Sequence, residues 1–160
     1  MRLIIIDKLV HHSWVMAIPR LINMGVEHYL VAAAVRAILA QRLIKKICQN
    51  CKTEVPLDAK SKVIINQLGY SEDDIPHVYK GTGCNRCRNT GFTGRMGVHE
   101  LLVVNEDLLS SLGDDLNVRV IKNLALERGF KTMMDDGIDK VKQGLITLEG
   151  VLESIAKNDD

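Results

Sequence analysis

Apolar positions recur along the chain with three rhythms, and each predicts a different element. Leu3-Ile4-Ile5-Ile6 is a short continuous β-branched run, the pattern of a buried strand. From Val15 to Asn23 the spacing is helical, with Gly25 a natural stop; Pro19 fits if the helix starts near Ile18 or is kinked. Glu27 to Ile47 carries the longest helical pattern. Leu30, Ala33, Ala34, Ala37, Ile38 and Ile44 share one face with Gln41, and Arg42, Lys45 and Lys46 suit the last turns of a helix dipole. A shorter helical stretch covers Ala59 to Leu68 and ends at Gly69, and Met96 to Val104 alternates as a strand. The remainder is read as three helices. Asn117 to Arg128 stops at Gly129, Thr132 to Gln143 stops at Gly144, and the last starts after Thr147, a good N-cap. The expected class is α+β, mainly helical, with divisions at 1–47, 48–94 and 95–160.

Composition narrows the classes. At 160 residues with 46% hydrophobic and 26% charged residues, the chain is an ordinary globular one, and its few aromatics leave the core to Leu, Ile, Val, Ala and Met. A net charge of +1 gives no bulk argument for nucleic acid or for an anionic membrane. No run approaches the roughly 20 apolar residues of a membrane span, and Asp7 interrupts the first apolar run before it reaches signal-peptide length. The expected location is the cytosol, where four cysteines point to metal or redox chemistry before disulfides.

The cysteines are arranged as Cys48-x2-Cys51, 32 intervening residues, then Cys84-x2-Cys87. Two residues between cysteines let one tight turn offer two thiolates to one ion, and two such turns complete a tetrahedral site. Four thiolates leave no open position, so the expected ion is a structural zinc. Lys45, Lys46, Lys52, Arg86 and Arg88 flank the motif and offset its negative charge. Glycines 81, 83, 91, 94 and 97 supply tight turns whose N–H groups can donate to sulfur. A thioredoxin-like dithiol needs one C-x-x-C beside a βαβ pattern, and here there are two. His77 lies between the pairs and is read as a surface histidine. The neighbouring His11 and His12 would point opposite ways on a strand, and Met133 and Met134 are read as core filler.

Several ordered segments carry a family resemblance. They are Arg20-Leu21-Ile22-Asn23-Met24-Gly25, Ala40-Gln41-Arg42-Leu43, Lys45 through Cys51, Gly83 through Glu100, Thr132 through Gly137 and Gly144 through Glu149. Together they resemble the C-terminal part of the type II secretion and type IV pilus assembly ATPases, a group of P-loop secretion ATPases. The resemblance implies a hexameric cytoplasmic motor peripheral to the inner membrane. Such a motor binds ATP and Mg2+, works on membrane-embedded platform proteins, and carries the tetracysteine lobe as a docking or structural element. It also makes residues 1–47 the end of an ATPase core. The phosphate-binding loop needs a Gly-Lys pair, and this chain has none, so the nucleotide-binding half is expected to be missing and no catalytic residue is assigned. Leu9-Val10-His11-His12-Ser13-Trp14 stands where the family carries a Thr-Leu-His-Thr-Asn-Asp type segment. Arg42 and Arg95 are the candidate inter-subunit or structural arginines, with Glu100 a possible partner for Arg95.

Two binding-module readings compete. A zinc ribbon for nucleic acid or protein would use Lys80, Arg86, Arg88 and Arg95, but lacks interleaved aromatic platforms, so no nucleic-acid partner is expected. Cys84 through Gly94 superficially resembles one J-protein zinc repeat, and only one partial repeat is present.

Overall fold

The structure, a computed structural model, describes residues 3–7, 17–104, 123 and 125–155. It divides into two compact units. One comprises Met1–Arg42 and His99–Met133, the other Leu43–Val98 and Met134–Asp160.

β1 (Leu3–Asp7) leads through α1 (Ala17–Asn23) and α2 (His28–Ala34) into β2 (Val35–Ile47), whose residues up to Arg42 belong to the first unit and whose remainder belongs to the second. β1 and β2 are parallel, with Ile5 opposite Ile38, so the two helices form the crossover that a parallel pair requires. Pro19 falls in the first turn of α1, where its missing N–H costs nothing, and Gly25 closes the helix at φ +90°. β5 (Phe92–Val103) borders β2 on its other side, giving the order β1-β2-β5. Val31, Val35, Ile38, Ala40, Leu102 and Val104 are buried here.

The helix expected over Glu27–Ile47 is corrected. Only His28–Ala34 is helical, and the next thirteen residues are strand. The buried positions show why the pattern misled. Val35 and Ile47 are buried, and so are Ile38, Ala40 and Ile44 of opposite parity. A strand with both faces covered loses its period of two, and such a run cannot be told from a buried helix by periodicity alone. The expectation of a mainly helical chain fails with it. Among the described residues strands occupy nearly as much chain as helices, while the α+β class stands.

The second unit contains an antiparallel hairpin of β3 (Lys52–Pro56) and β4 (His77–Gly81), in register from Lys52–Gly81 to Pro56–His77. Between them lies α3 (Ala59–Gln67), close to the predicted helix. Asp58 caps it, accepting the Ser61 N–H at 2.7 Å, and Gly69 ends it at φ +85°. That capping bond holds the Asp58 carboxyl below its ordinary range. Two further helices, α4 (Met133–Lys142) and α5 (Leu148–Ile155), follow the sequence expectation, with Gly144 at φ +66° between them. Thr147 caps α5 as predicted, its hydroxyl accepting the Gly150 N–H at 3.1 Å. Ile138, Val141, Ile146, Leu148 and Val151 form much of this core, with Ile44, Ile47 and Val98 also buried. Tyr70 donates to Asp135, and burial together with that carboxylate pushes its phenol well above the ordinary value.

Of the helix expected over Asn117–Arg128, residue 123 and residues from 125 are described, and 125–127 are helical. The rest of that stretch, His11, His12 and the tail lie outside the described residues.

Candidate metal centre

β2 delivers Cys48 immediately past its last residue, and Cys51 opens onto β3. The chain turns between them, with the Cys51 N–H donating to the Cys48 carbonyl at 3.2 Å. In the second pair Cys84 precedes and Cys87 ends a single 3-10 turn, Asn85–Cys87, closed by Cys87 N–H to Cys84 O at 3.1 Å. Beyond it Arg88 and Asn89 both adopt the left-handed conformation, at φ 53° and 59°. Non-glycine residues enter that region at a cost, and here two further bonds to the turn hold it: Asn89 N–H to Cys84 O at 2.9 Å and Thr90 N–H to Cys87 O at 3.1 Å. The two cysteine turns are joined by Cys48 N–H to Gly91 O at 2.9 Å and Thr82 N–H to Cys51 O at 3.0 Å.

The four sulfurs converge. All lie within 4.8 Å of one another, and three Sγ···Sγ separations are 3.9 Å (Cys48–Cys84), 3.8 Å (Cys51–Cys87) and 3.8 Å (Cys84–Cys87). None is a disulfide. A regular tetrahedron of sulfurs at the ~2.3 Å zinc–thiolate distance has edges of about 3.8 Å, so the donor set fits a tetrahedral thiolate-binding ion. The sulfurs also receive N–H donors: Gly83 to Cys51 at 3.3 Å, Gly91 to Cys87 at 3.3 Å and Cys84 to Cys87 at 3.2 Å. Donors aimed at sulfur favour the thiolate, the form a metal requires. The Asn50 amide, 3.4 Å from Cys84 Sγ, is the largest influence holding that thiol down to about 6, with the Cys87 backbone next. Burial opposes ionisation of Cys87, yet the Cys84 and Gly91 N–H groups leave it below its ordinary value. Desolvation pushes Cys51 up to about 11, against the Gly83 N–H. Cys84 and Cys87 are thus held toward the thiolate and Cys51 toward the thiol, and a bound cation would favour ionisation of all three.

The glycine donors were legible from the Gly-rich spacing. Asn50 was not singled out, and its place inside the first C-x-x-C turn is the signal that would have found it. His77 is outside the sulfur cluster. It lies on β4, half-buried, with Nδ1 3.5 Å from Glu54 and its ring edge-on to Tyr79 at 5.8 Å. Of the flanking cations, Lys52 donates to the Gln143 carbonyl at 3.2 Å and lies 4.3 Å from the Tyr79 ring centroid, while Lys45 lies 5.7 Å from that of Phe92. Arg42 is half-buried on β2 and Arg95 exposed on β5, and neither belongs to the cluster. Glu100 does not suit the pairing suggested for Arg95. Five residues apart on one strand they face opposite ways, and the Glu100 carboxylate is buried, accepting the Met133 N–H at 3.2 Å.

A family model described as "Type II/IV secretion system protein" matches residues 9–153. The type IV pilus assembly ATPase PilB of Thermus thermophilus is 42% identical over 138 residues, 85% of this chain and 15% of the relative. The type II secretion system ATPase E of Vibrio cholerae is 32% identical over 137 residues, 85% of this chain and 26% of the relative. The chain thus spans well under a third of these relatives' length. The X-ray structure of the Legionella pneumophila ATPase DotB superposes with a TM-score of 0.52 at 14% identity, covering 91% of this chain and 30% of that one, a likeness of fold.

Proposed function

Because the chain belongs to the type II/IV secretion system protein family, we propose that it is the metal-bearing C-terminal portion of an ATPase that powers type II secretion or type IV pilus assembly. Cys48, Cys51, Cys84 and Cys87 hold one structural zinc ion. The observation that carries this is the convergence of four sulfurs at edge lengths of a zinc-thiolate tetrahedron. With every coordination position filled by thiolate, the ion supplies folding free energy and no Lewis-acid chemistry. The work of the residues is to lock β2, the β3–β4 hairpin and the start of β5 to one point. Arg42 and Arg95 remain the candidate inter-subunit or structural contacts.

ATP and Mg2+ belong to the whole motor. The hexamer, the inner-membrane platform proteins and the cytoplasmic position at the inner membrane belong to it too, as the family reading implies. Phosphoryl transfer is catalysed by a phosphate loop, its Lys and a metal, and the 160 residues contain no Gly-Lys pair. The isolated chain is therefore expected to bind zinc and not to hydrolyse ATP. Elemental analysis of the purified chain is expected to give one zinc per chain. Phosphate release from ATP is expected to match a mock purification. A metal-free, fully folded protein would overturn the first statement, and turnover that copurifies with the chain the second.

A further inference from the structure

The cysteine turns leave a small cleft on the second unit that the metal reading does not use. It is lined by Lys45, Thr90, Phe92, Gly94 and Arg95 and has a volume of about 280 Å3. Phe92 is its half-buried aromatic wall, with the Lys45 ammonium 5.7 Å from the ring centroid. The wall is fixed in place. The Thr90 hydroxyl donates to the Cys87 carbonyl at 2.6 Å and accepts the Phe92 N–H at 3.3 Å, so the bend into β5 is tied to the second cysteine turn. Gly94, at φ +69°, has nothing within 4 Å of where a Cβ would stand, which keeps that side open.

The charge is one-sided. Between Leu43 and Thr53 and between Ile75 and Val98 there are seven Lys and Arg residues and no Asp or Glu. Two are engaged elsewhere, Lys52 with the Gln143 carbonyl and Lys80 with Glu149 at 3.0 Å. Among the described residues, Lys45 and Arg95 have no carboxylate at ion-pair distance. Both are exposed, so a ligand would meet them at little desolvation cost.

We propose that this cleft docks a carboxylate side chain from an acidic segment of a partner protein, with Lys45 and Arg95 as its counter-ions and Phe92 as the wall for its apolar stem. The cleft's size suits one side chain. Single-stranded nucleic acid needs successive aromatic platforms along a basic groove, and here one ring stands alone. A membrane surface needs a broad apolar face beside its cations, and the ring here is half-buried in a recess. Complementary charge at such a rim sets encounter rate and partner choice, so binding is expected to be weak and salt-sensitive.

The test uses the metal-loaded 160-residue chain and a fluorescein-labelled oligoglutamate peptide, with oligoglutamine as the neutral control. Anisotropy is expected to show binding of oligoglutamate alone, weakening with salt. In a 15N-labelled sample the Phe92 and Gly94 amides are expected to shift. Lys45→Glu with Arg95→Glu is expected to weaken binding about tenfold or more. Arg86→Glu, a charge reversal equal to either of these singly and placed at an exposed site outside the cleft, is expected to leave most of it. Metal content and melting are measured on each variant, which separates loss of the cleft from loss of the metal site that holds Thr90 and Phe92. Should the double charge reversal fail to fold, Lys45→Gln and Arg95→Gln carry the same comparison. Equal weakening by Arg86→Glu would overturn the proposal, as would unchanged binding by the double variant. So would Lys45- and Arg95-dependent binding of phosphatidylglycerol vesicles or single-stranded DNA tighter than that of the peptide.

Discussion

Gly81 and Gly91 are the most exacting positions around the sulfurs, and Gly81→Ala tests whether the hairpin and the second cysteine turn are held at backbone contact. A Cβ at Gly81 would stand 2.0 Å from the Gly91 carbonyl oxygen and 2.6 Å from its C and Cα. Real Cβ contacts do not fall below 3.0 Å, so the two backbones must part by about 1 Å. They are not free to do so. Gly91 O accepts the Cys48 N–H and Gly91 N–H donates to Cys87 Sγ, so moving Gly91 pulls on both cysteine pairs. Overpacking against flexible side chains costs about 1–3 kcal/mol, and backbone on both sides puts this case near the top, about 3 kcal/mol. If that cost is borne by the metal-bound form, zinc affinity falls by roughly a hundredfold. The assay is zinc competition against a chromophoric chelator. Gly94→Ala serves as the control, because a Cβ there meets nothing within 4 Å and only the left-handed backbone is penalised, by about 1–2 kcal/mol of stability. Gly81→Ala with wild-type zinc affinity, or with an effect no larger than Gly94→Ala, would refute the close-packed account of the site.

Two further outcomes test other links. Cys84→Ser is expected to lose zinc and to become protease-sensitive between Thr53 and Thr82, the hairpin and α3 that the cysteine turns close off; an unchanged digestion pattern would separate that segment's order from the metal. Thr147→Ala is expected to cost about 1 kcal/mol in thermal or denaturant unfolding through loss of the α5 cap, and a melting curve matching wild type would show the Gly150 N–H to be satisfied otherwise.

What could be read in advance follows from how local each determinant is. The sulfur cluster was legible because C-x-x-C fixes two donors within one turn, and its paired glycines announced where N–H groups would meet sulfur. Helix ends were legible for the same reason. Gly25, Gly69 and Gly144 all take positive φ where a stop was expected, and Thr147 bonds its own helix. β2 was not legible, since its conformation is set by partners outside the local window. Leu3–Asp7 pairs with it on one side and β5 lies on the other, and together they convert a helix-like sequence into a central strand. Ala33, Ala34, Ala37 and Ala40 favour helix, and strand pairing overrides that preference from Val35 onward.

That conversion has a consequence for the metal centre. A helix over Glu27–Ile47 would rise about 1.5 Å per residue, whereas the extended run from Val35 rises about 3.3 Å. The thirteen residues of β2 thus carry Cys48 far along the sheet, to where its N–H reaches the Gly91 carbonyl and its sulfur reaches Cys84. Cys51 and Cys87 arrive by the same logic from β3 and from the turn before β5. Three strand ends supply the four ligands, and none of the strands closes the site alone. An ion at that point would tie the end of β2, the hairpin and the start of β5 together, so zinc affinity is the informative readout for the variants at the cysteine turns.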